Sequence, residues 1–144
     1  MPRNVHKSVI NALVLCGAIP VYVNPEMDNR LGISLGMQVS EVEKAILEHP
    51  KAVAVLVNNP TYYGICSDLR SIVKVAHAHG MKVLVDEAHG THLYFGENLP
   101  VCAMDAGADM ASVSMHKSGG SLTQSSILLT GKNVIGSMSV RLLT

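Results

Sequence analysis

The stretch KVLVDEAHG, residues 82–90, decides the fold. An apolar run leads into a pair of carboxylates, and this pattern predicts a short buried strand over residues 81–85. Asp86 then lies at the carboxyl end of that strand. Ligands of open α/β sheets bind at the carboxyl ends of the strands. The stretch therefore predicts a buried strand together with a polar site at its end.

Helical and extended segments alternate on either side of this stretch. Helices are predicted where apolar residues recur at helical spacing or where capping residues stand, at 6–16, 40–48, 67–79 and 101–106. Strands are predicted at the short apolar runs 18–23, 52–57, 81–85, 109–115 and 125–130. Such alternation along the whole chain predicts an α/β domain, a three-layer sandwich with a mostly parallel sheet.

Particular residues mark the expected helix ends. Ser40, with Glu43 three residues later, forms a capping box at the start of the helix over 40–48. Asp68 is a suitable N-cap for the next helix, and Gly17 and Gly80 are natural helix stops. These residues fix where the connecting loops begin.

Composition excludes several classes of protein. The chain of 144 residues is 48% hydrophobic and 15% charged, which is typical of a single folded domain rather than of a disordered chain. Its formal net charge is zero and no basic run occurs, so a nucleic-acid partner is not expected. No apolar run is long enough to cross a membrane, and no signal peptide is evident. The three separated cysteines indicate reduced thiols, so we expect a cytoplasmic protein.

The letters DEAH also occur in helicases, where the acids hold the magnesium of ATP. An ATPase of that kind needs a phosphate-binding GxxxxGK[ST] loop upstream of its acidic strand. The only Gly-Lys pair, Gly131-Lys132, is followed by Asn and comes after the DEAH. The helicase interpretation therefore fails.

Three predicted strand ends carry polar residues, at 58–64, 86–89 and 114–120. Lys117 follows one strand among small and hydrogen-bonding residues, which suits a buried amine that forms a Schiff base with an aldehyde cofactor. Asp86 on a neighbouring strand could keep the pyridine nitrogen of pyridoxal 5'-phosphate (PLP) protonated. An ordinary surface lysine and a turn-capping aspartate would give the same pair, so both interpretations stay open at this point.

Histidines offer a weaker indication. His89 and His92 are three residues apart, but no third ligand is evident. We therefore predict no metal site, and we expect His89 in the wall of a pocket.

Four motifs follow one another in the order found in a known family. They are RNVHKSVINALVLCGAIPVYVNP (3–25), NPTYYGICSDL (59–69), VLVDEAHGTHLYF (83–95) and GADMASVSMHKSGGSLTQSSILL (107–129). Through them the chain resembles the Orn/Lys/Arg decarboxylase major domain, a family of PLP-dependent amino-acid decarboxylases with the aspartate aminotransferase fold (fold type I). The resemblance covers roughly residues 3–130.

The resemblance implies roles for particular residues. Lys117 would form the Schiff base with PLP, Asp86 would pair with the pyridinium nitrogen, and His6 would stack on the cofactor ring. Val5 departs mildly from the family wording but leaves His6 intact. The remaining cofactor contacts implied are Ala88 on the other ring face, Ser114 and His116 near the phosphate, and Asn59 and Thr61 on a neighbouring loop.

The implied reaction is decarboxylation of arginine, lysine or ornithine to an amine that serves as a polyamine precursor. In the family such chains form homodimers or larger homo-oligomers. Residues 1–130 would be the central part of the PLP-binding domain, and residues 131–144 a divergent tail left by truncation or frameshift. The upstream phosphate loop and the small C-terminal domain are expected to be missing. Two alternatives remain: an inactive fragment that acts as an oligomerising α/β module, or another fold type I enzyme such as an aminotransferase or lyase.

Overall fold

The structure, a computed structural model, describes residues 1–131 and Val134. The described chain contains six strands and five helices, with a 3₁₀ turn at Thr91–Tyr94. The strands are β1 (Met27–Asp28), β2 (Ile33–Ser34), β3 (Ala54–Asn58), β4 (Lys82–Asp86), β5 (Met110–Ser114) and β6 (Ser126–Thr130). The helices are α1 (Lys7–Cys16), α2 (Val39–Glu48), α3 (Leu69–Ala78), α4 (Ala103–Ala106) and α5 (Met115–Ser118).

One sheet with the order β3-β4-β5-β6 forms the centre of the domain. β3, β4 and β5 are parallel, and β6 runs antiparallel to β5. The register places Asp86 beside Asn58 on one side and Ser112 on the other. The α/β class with a mostly parallel sheet is thus confirmed, and the strand ends that the sequence pointed to lie at one edge.

Alternating side chains divide the sheet into a covered face and an open face. Val57, Val83 and Val85 are buried on the face that α2, α3 and α4 cover. Burial of each such side chain stabilises the fold by about 1.5 to 3 kcal/mol. Leu56 and Leu84 point to the opposite face and are only partly buried. The N-terminal turn of α1 lies over that second face, although α1 itself contains no buried residue.

Two predicted element boundaries are confirmed and one is wrong. Asp68 is the N-cap of α3, and its side chain accepts a hydrogen bond from the N–H of Ser71 at 3.2 Å. Gly17 ends α1 in the left-handed conformation, with φ of 67°. The capping box at Ser40 does not form, because α2 begins one residue earlier, after Gln38, and no side chain caps it.

The strand predicted at 18–23 is also wrong. The segment makes a single parallel bridge between Pro2 and Val23 and joins no sheet. Its backbone bonds instead go to the chain start: the Met1 amine donates to Val21 O at 2.9 Å, and Val23 N donates to Met1 O at 2.8 Å. Pro20 has no N–H that could donate a hydrogen bond to a neighbouring strand, which disfavours a strand in this segment.

Asp109, which is 6% exposed, links three elements of the covered side. Its carboxylate accepts hydrogen bonds from Val83 N at 2.8 Å, from Lys82 Nζ at 2.9 Å and from His77 Nε2 at 2.8 Å. The bonds tie the start of β4 and the end of α3 to the residue before β5. Within the described residues, none of the helices is long and apolar enough to span a membrane.

Candidate active site

A cavity of about 900 Å³ opens where the parallel strands end. Its walls include the ends of β3, β4 and β5, the first turn of α1, and Leu128 of β6. The polar residues that share this cavity include His6, Asn58, Asp86, His89, Ser112, Ser114, His116 and Lys117. The three strand ends singled out in the sequence therefore meet at one site.

Asp86 is the last residue of β4 and is half-buried in the cavity wall. Its Oδ1 accepts a hydrogen bond from Ala88 N at 3.2 Å, which holds the carboxylate at the strand end. Ala88 lies in the same wall and leaves space beside the carboxylate because its side chain is a single methyl group. A fixed anion next to open space can pair with a cationic ring nitrogen.

Lys117 belongs to α5, the single helical turn that directly follows β5. Its Nζ lies 3.4 Å from His89 Nε2, and both residues line the cavity. The sequence suggested a buried amine, but Lys117 is exposed. None of the residues of α5 is buried, so this turn does not carry Lys117 into the core.

His6 is the N-cap of α1, at the start of the helix predicted over residues 6–16. Its Nδ1 accepts a hydrogen bond from Ser8 N at 3.2 Å and lies 2.8 Å from Ser8 Oγ. These contacts hold the ring, which is exposed, at the start of α1, and His6 is one of the residues that line the cavity.

Ser114 and His116 also lie in the cavity wall, close to Lys117 in sequence. His116 Nδ1 lies 2.8 Å from Ser125 O and 3.3 Å from Ser125 N, so the loop before β6 orients its ring. Ser114 is the N-cap of α5, but its side chain makes no capping hydrogen bond to that helix.

Asn59 and Thr61 are placed differently from the other predicted residues. Both side chains are buried and neither lines the cavity. Asn59 Oδ1 accepts from Ser67 N at 2.7 Å, and Thr61 Oγ1 accepts from Ile65 N at 3.2 Å. Both side chains support the loop after β3 through these hydrogen bonds. They therefore shape the site indirectly and do not line the cavity.

Tyr62 is a cavity residue that sequence reasoning missed. Its ring stands edge-on to His89, with centroids 5.5 Å apart, and edge-on to Tyr63 at 5.6 Å. The aromatic pair after the β3 run could have indicated it, since strand ends were already expected to form the site. His89 itself lies in the wall, as expected.

Glu87 points away from the cavity although it follows Asp86 directly. Its carboxyl is fully buried, with Oε1 accepting from Ala103 N at 2.8 Å and Oε2 accepting from the Tyr94 hydroxyl at 2.5 Å. Burial raises the pKa of Glu87, while the two hydrogen bonds act in the opposite direction. Glu87 therefore anchors the Thr91–Tyr94 turn and the start of α4.

The donor set in the cavity suits PLP. Lys117 offers an amine for the aldehyde and Asp86 a carboxylate for the pyridine nitrogen. His6 offers an imidazole at the start of α1, and the small side chain of Ala88 leaves room for a ring. Among the residues that the structure describes, no three His, Cys, Asp or Glu side chains are placed to hold a metal ion.

Solved structures of the same architecture define the class. The chain is similar to sphingosine-1-phosphate lyase from Burkholderia pseudomallei, with a TM-score of 0.72 and 17% identity, over 92% of this chain and 31% of that one. At that identity the likeness shows the fold alone. The fold is that of the fold type I PLP-dependent enzymes.

The family follows from closer matches. The model of the Orn/Lys/Arg decarboxylase major domain matches residues 1–141, and the chain belongs to that family. It is 56% identical to an arginine decarboxylase of Bacillus subtilis over 89% of the chain, and 53% identical to one of Halalkalibacterium halodurans over 98%. It spans 26% and 29% of the length of these two relatives.

The matched range bears on the expected domain limits. The family match extends past residue 130, where we placed the start of a divergent tail. Apart from Gly131 and Val134, that tail lies outside the described residues. The division at 130 and the missing flanking parts stay predictions.

Proposed function

We propose that this chain supplies the cofactor site of a PLP-dependent decarboxylase that acts on a basic amino acid, with arginine as the first substrate to test. The observation that carries the proposal is the placement of Lys117 and Asp86 in the wall of one cavity, after neighbouring parallel strands. The names of the relatives at 53% to 56% identity support arginine. They also favour a decarboxylase over an aminotransferase on the same fold.

When bound, PLP would act as an electron sink. It would accept the electron pair that remains on the substrate when the carboxylate leaves as CO₂. Lys117 would attach the cofactor covalently, through the amine that now lies 3.4 Å from His89. Asp86, held by Ala88 N, would keep the ring nitrogen protonated. A carboxylate fixed before the reaction needs no reorganisation as charge develops.

The other cavity residues would orient the cofactor. His6 would lie over one face of the ring from the start of α1, and Ala88 would admit the ring on the other face. Ser114 and His116 are the proposed hydrogen-bonding contacts of the phosphate. We propose that Asn59 and Thr61 act indirectly, through the loop that they support.

A homodimer or larger homo-oligomer in the cytoplasm is the proposed setting, as in the family that the chain resembles. The second candidate function is an inactive module that only associates with other chains. The exposure of Lys117 and the absence of any buried residue in α1 favour this candidate.

Covalent labelling separates the two candidates. The chain is incubated with PLP and reduced with borohydride, and the pyridoxyl group is located by mass spectrometry. We expect the label mainly at Lys117. The Lys117→Arg variant should lose the main label, and Lys74→Arg, which changes an exposed lysine of α3, should keep it.

Labels spread over the surface lysines would show that the site does not bind PLP, and would favour the inactive module. If Lys117 is labelled, release of CO₂ from arginine, lysine and ornithine is measured next. Turnover of a substrate other than arginine would correct the proposed specificity without affecting the site.

A further inference from the structure

Three side chains that follow successive strands of the sheet contact one another in the wall of the cavity. Tyr62 follows β3, His89 follows β4 and Lys117 follows β5. The rings of Tyr62 and His89 meet edge-on at 89°, and His89 Nε2 lies 3.4 Å from Lys117 Nζ. We propose that His89 positions the Lys117 amine by accepting its hydrogen bond, and that Tyr62 holds the imidazole ring. The inference rests on the proposed function, in which Lys117 attaches the cofactor.

The need for a positioning residue follows from the place of Lys117. An exposed lysine loses side-chain entropy when it is held in one geometry. Without a partner, Lys117 would sample many positions from its short helical turn. A contact at Nζ selects those in which the amine stays at the cavity mouth.

His89 can accept this bond when its ring is neutral, and its surroundings favour the neutral form. Partial burial lowers the pKa of His89 first, and the positive charges of Lys117 and His6 lower it further, while the carboxylate of Asp86 acts in the opposite direction. A neutral imidazole whose proton is on Nδ1 leaves the lone pair of Nε2 free for Lys117. Protonation of the ring would remove this acceptor and add a repulsive charge.

Tyr62 fixes the ring from the other side. Its side chain is 77% exposed, yet it makes edge-on contacts with both His89 and Tyr63. Aromatic pairs of this geometry restrict the rings that form them. The imidazole is therefore held between Tyr62 and the lysine amine.

The contact itself is tested without cofactor, by following the histidine rings by NMR as pH is varied. His89→Gln identifies the His89 signal by removing it. Because the charge of Lys117 lowers the pKa of His89, Lys117→Met should move the titration of His89 upward by about half a pH unit, a size typical of exposed charge pairs. Lys74→Met should leave it in place. An unchanged His89 titration in Lys117→Met would overturn the inference.

The functional consequence is tested by pyridoxyl labelling. His89→Leu should lower the fraction of label at Lys117 about five-fold, the effect of losing one hydrogen bond. His89→Gln, whose amide oxygen can accept at any pH, should retain most of the label. It should keep that label as pH falls through the lowered pKa of His89, where the wild type loses it. His92→Gln changes an exposed histidine outside the cavity wall and should have no effect.

The two measurements separate two kinds of failure. Full labelling of Lys117 in His89→Leu would overturn the positioning role and leave the proposed function intact. A shifted His89 titration without labelling of wild-type Lys117 would refute the proposed function, while the contact between the two residues would stand.

Discussion

At the scale of single residues, the two acids of the DEAH stretch serve opposite sides of the sheet. Asp86 ends β4 on the open face, in register with Asn58 and Ser112, and reaches the cavity. Glu87 turns to the covered side and is fully buried. A Cβ on Gly90 would lie 2.4 Å from Glu87 Cγ, so a glycine is needed where the loop passes over this carboxyl. The sequence DEAH alone does not show which of the two acids reaches the cavity, because that depends on the direction in which each side chain points from the sheet.

This division predicts unequal losses of stability when each acid is replaced by alanine. Glu87→Ala removes a buried side chain and leaves the Ala103 N–H and the Tyr94 hydroxyl without their acceptor, so it should lower the free energy of unfolding by about 3 kcal/mol. Asp86→Ala removes one half-exposed hydrogen bond and should cost less than about 1 kcal/mol. Urea unfolding followed by circular dichroism measures both. Equal losses would contradict the division of roles.

At the scale of elements, local patterns predicted the strands of the central sheet. The segments that form β3, β4 and β5 are short apolar runs in the sequence, and Asp86 ends its strand as expected. The wrong predictions lie in segments whose structure depends on contacts with residues distant in the sequence. The segment 18–23 is apolar but pairs with the chain start, and α2 begins at Val39 because that side chain packs on the core. The exposure of Lys117 likewise depends on the turn after β5, which sequence spacing does not describe.

The Asp109 cluster gives a prediction for pH dependence. Burial tends to raise the pKa of Asp109, but hydrogen bonds from Val83 N, His77 and Lys82 outweigh it and lower the pKa below 3.8. Since the unfolded chain then binds the proton more tightly, the stabilisation is present above pH 3.8 and is lost as pH falls through the lowered value. Asp109→Asn should cost about 2 kcal/mol near neutral pH, and this cost should shrink in acid.

Urea unfolding of wild type and variant at about pH 7 and about pH 3 checks this expectation. Asp105→Asn, at an exposed position of α4, is the matched control and should change the free energy of unfolding little at either pH. A cost of Asp109→Asn that stays constant or grows in acid would contradict the assignment of the cluster.

At the scale of the whole molecule, the two faces of the sheet differ in how they are covered. Helices α2, α3 and α4 bury one face, whereas the other face carries the cavity and the start of α1. The third layer of the predicted sandwich is thus represented within the described residues by α1, which contains no buried residue. The chain spans 26% and 29% of the length of the two arginine decarboxylases to which it is similar.

This asymmetry predicts self-association of the isolated chain. Val14, Leu15 and Ile19 are 77%, 88% and 92% exposed, and large apolar side chains in contact with water favour association. Sedimentation velocity should show oligomers that dissociate on dilution. The double variant Val14→Glu, Leu15→Glu should weaken association at least about ten-fold, because burial of each side chain contributes about 1.5 to 3 kcal/mol. Leu31→Glu, 68% exposed between β1 and β2, should leave association unchanged. A monomer at all concentrations, or equal effects of the variants, would show that α1 is not the associating surface.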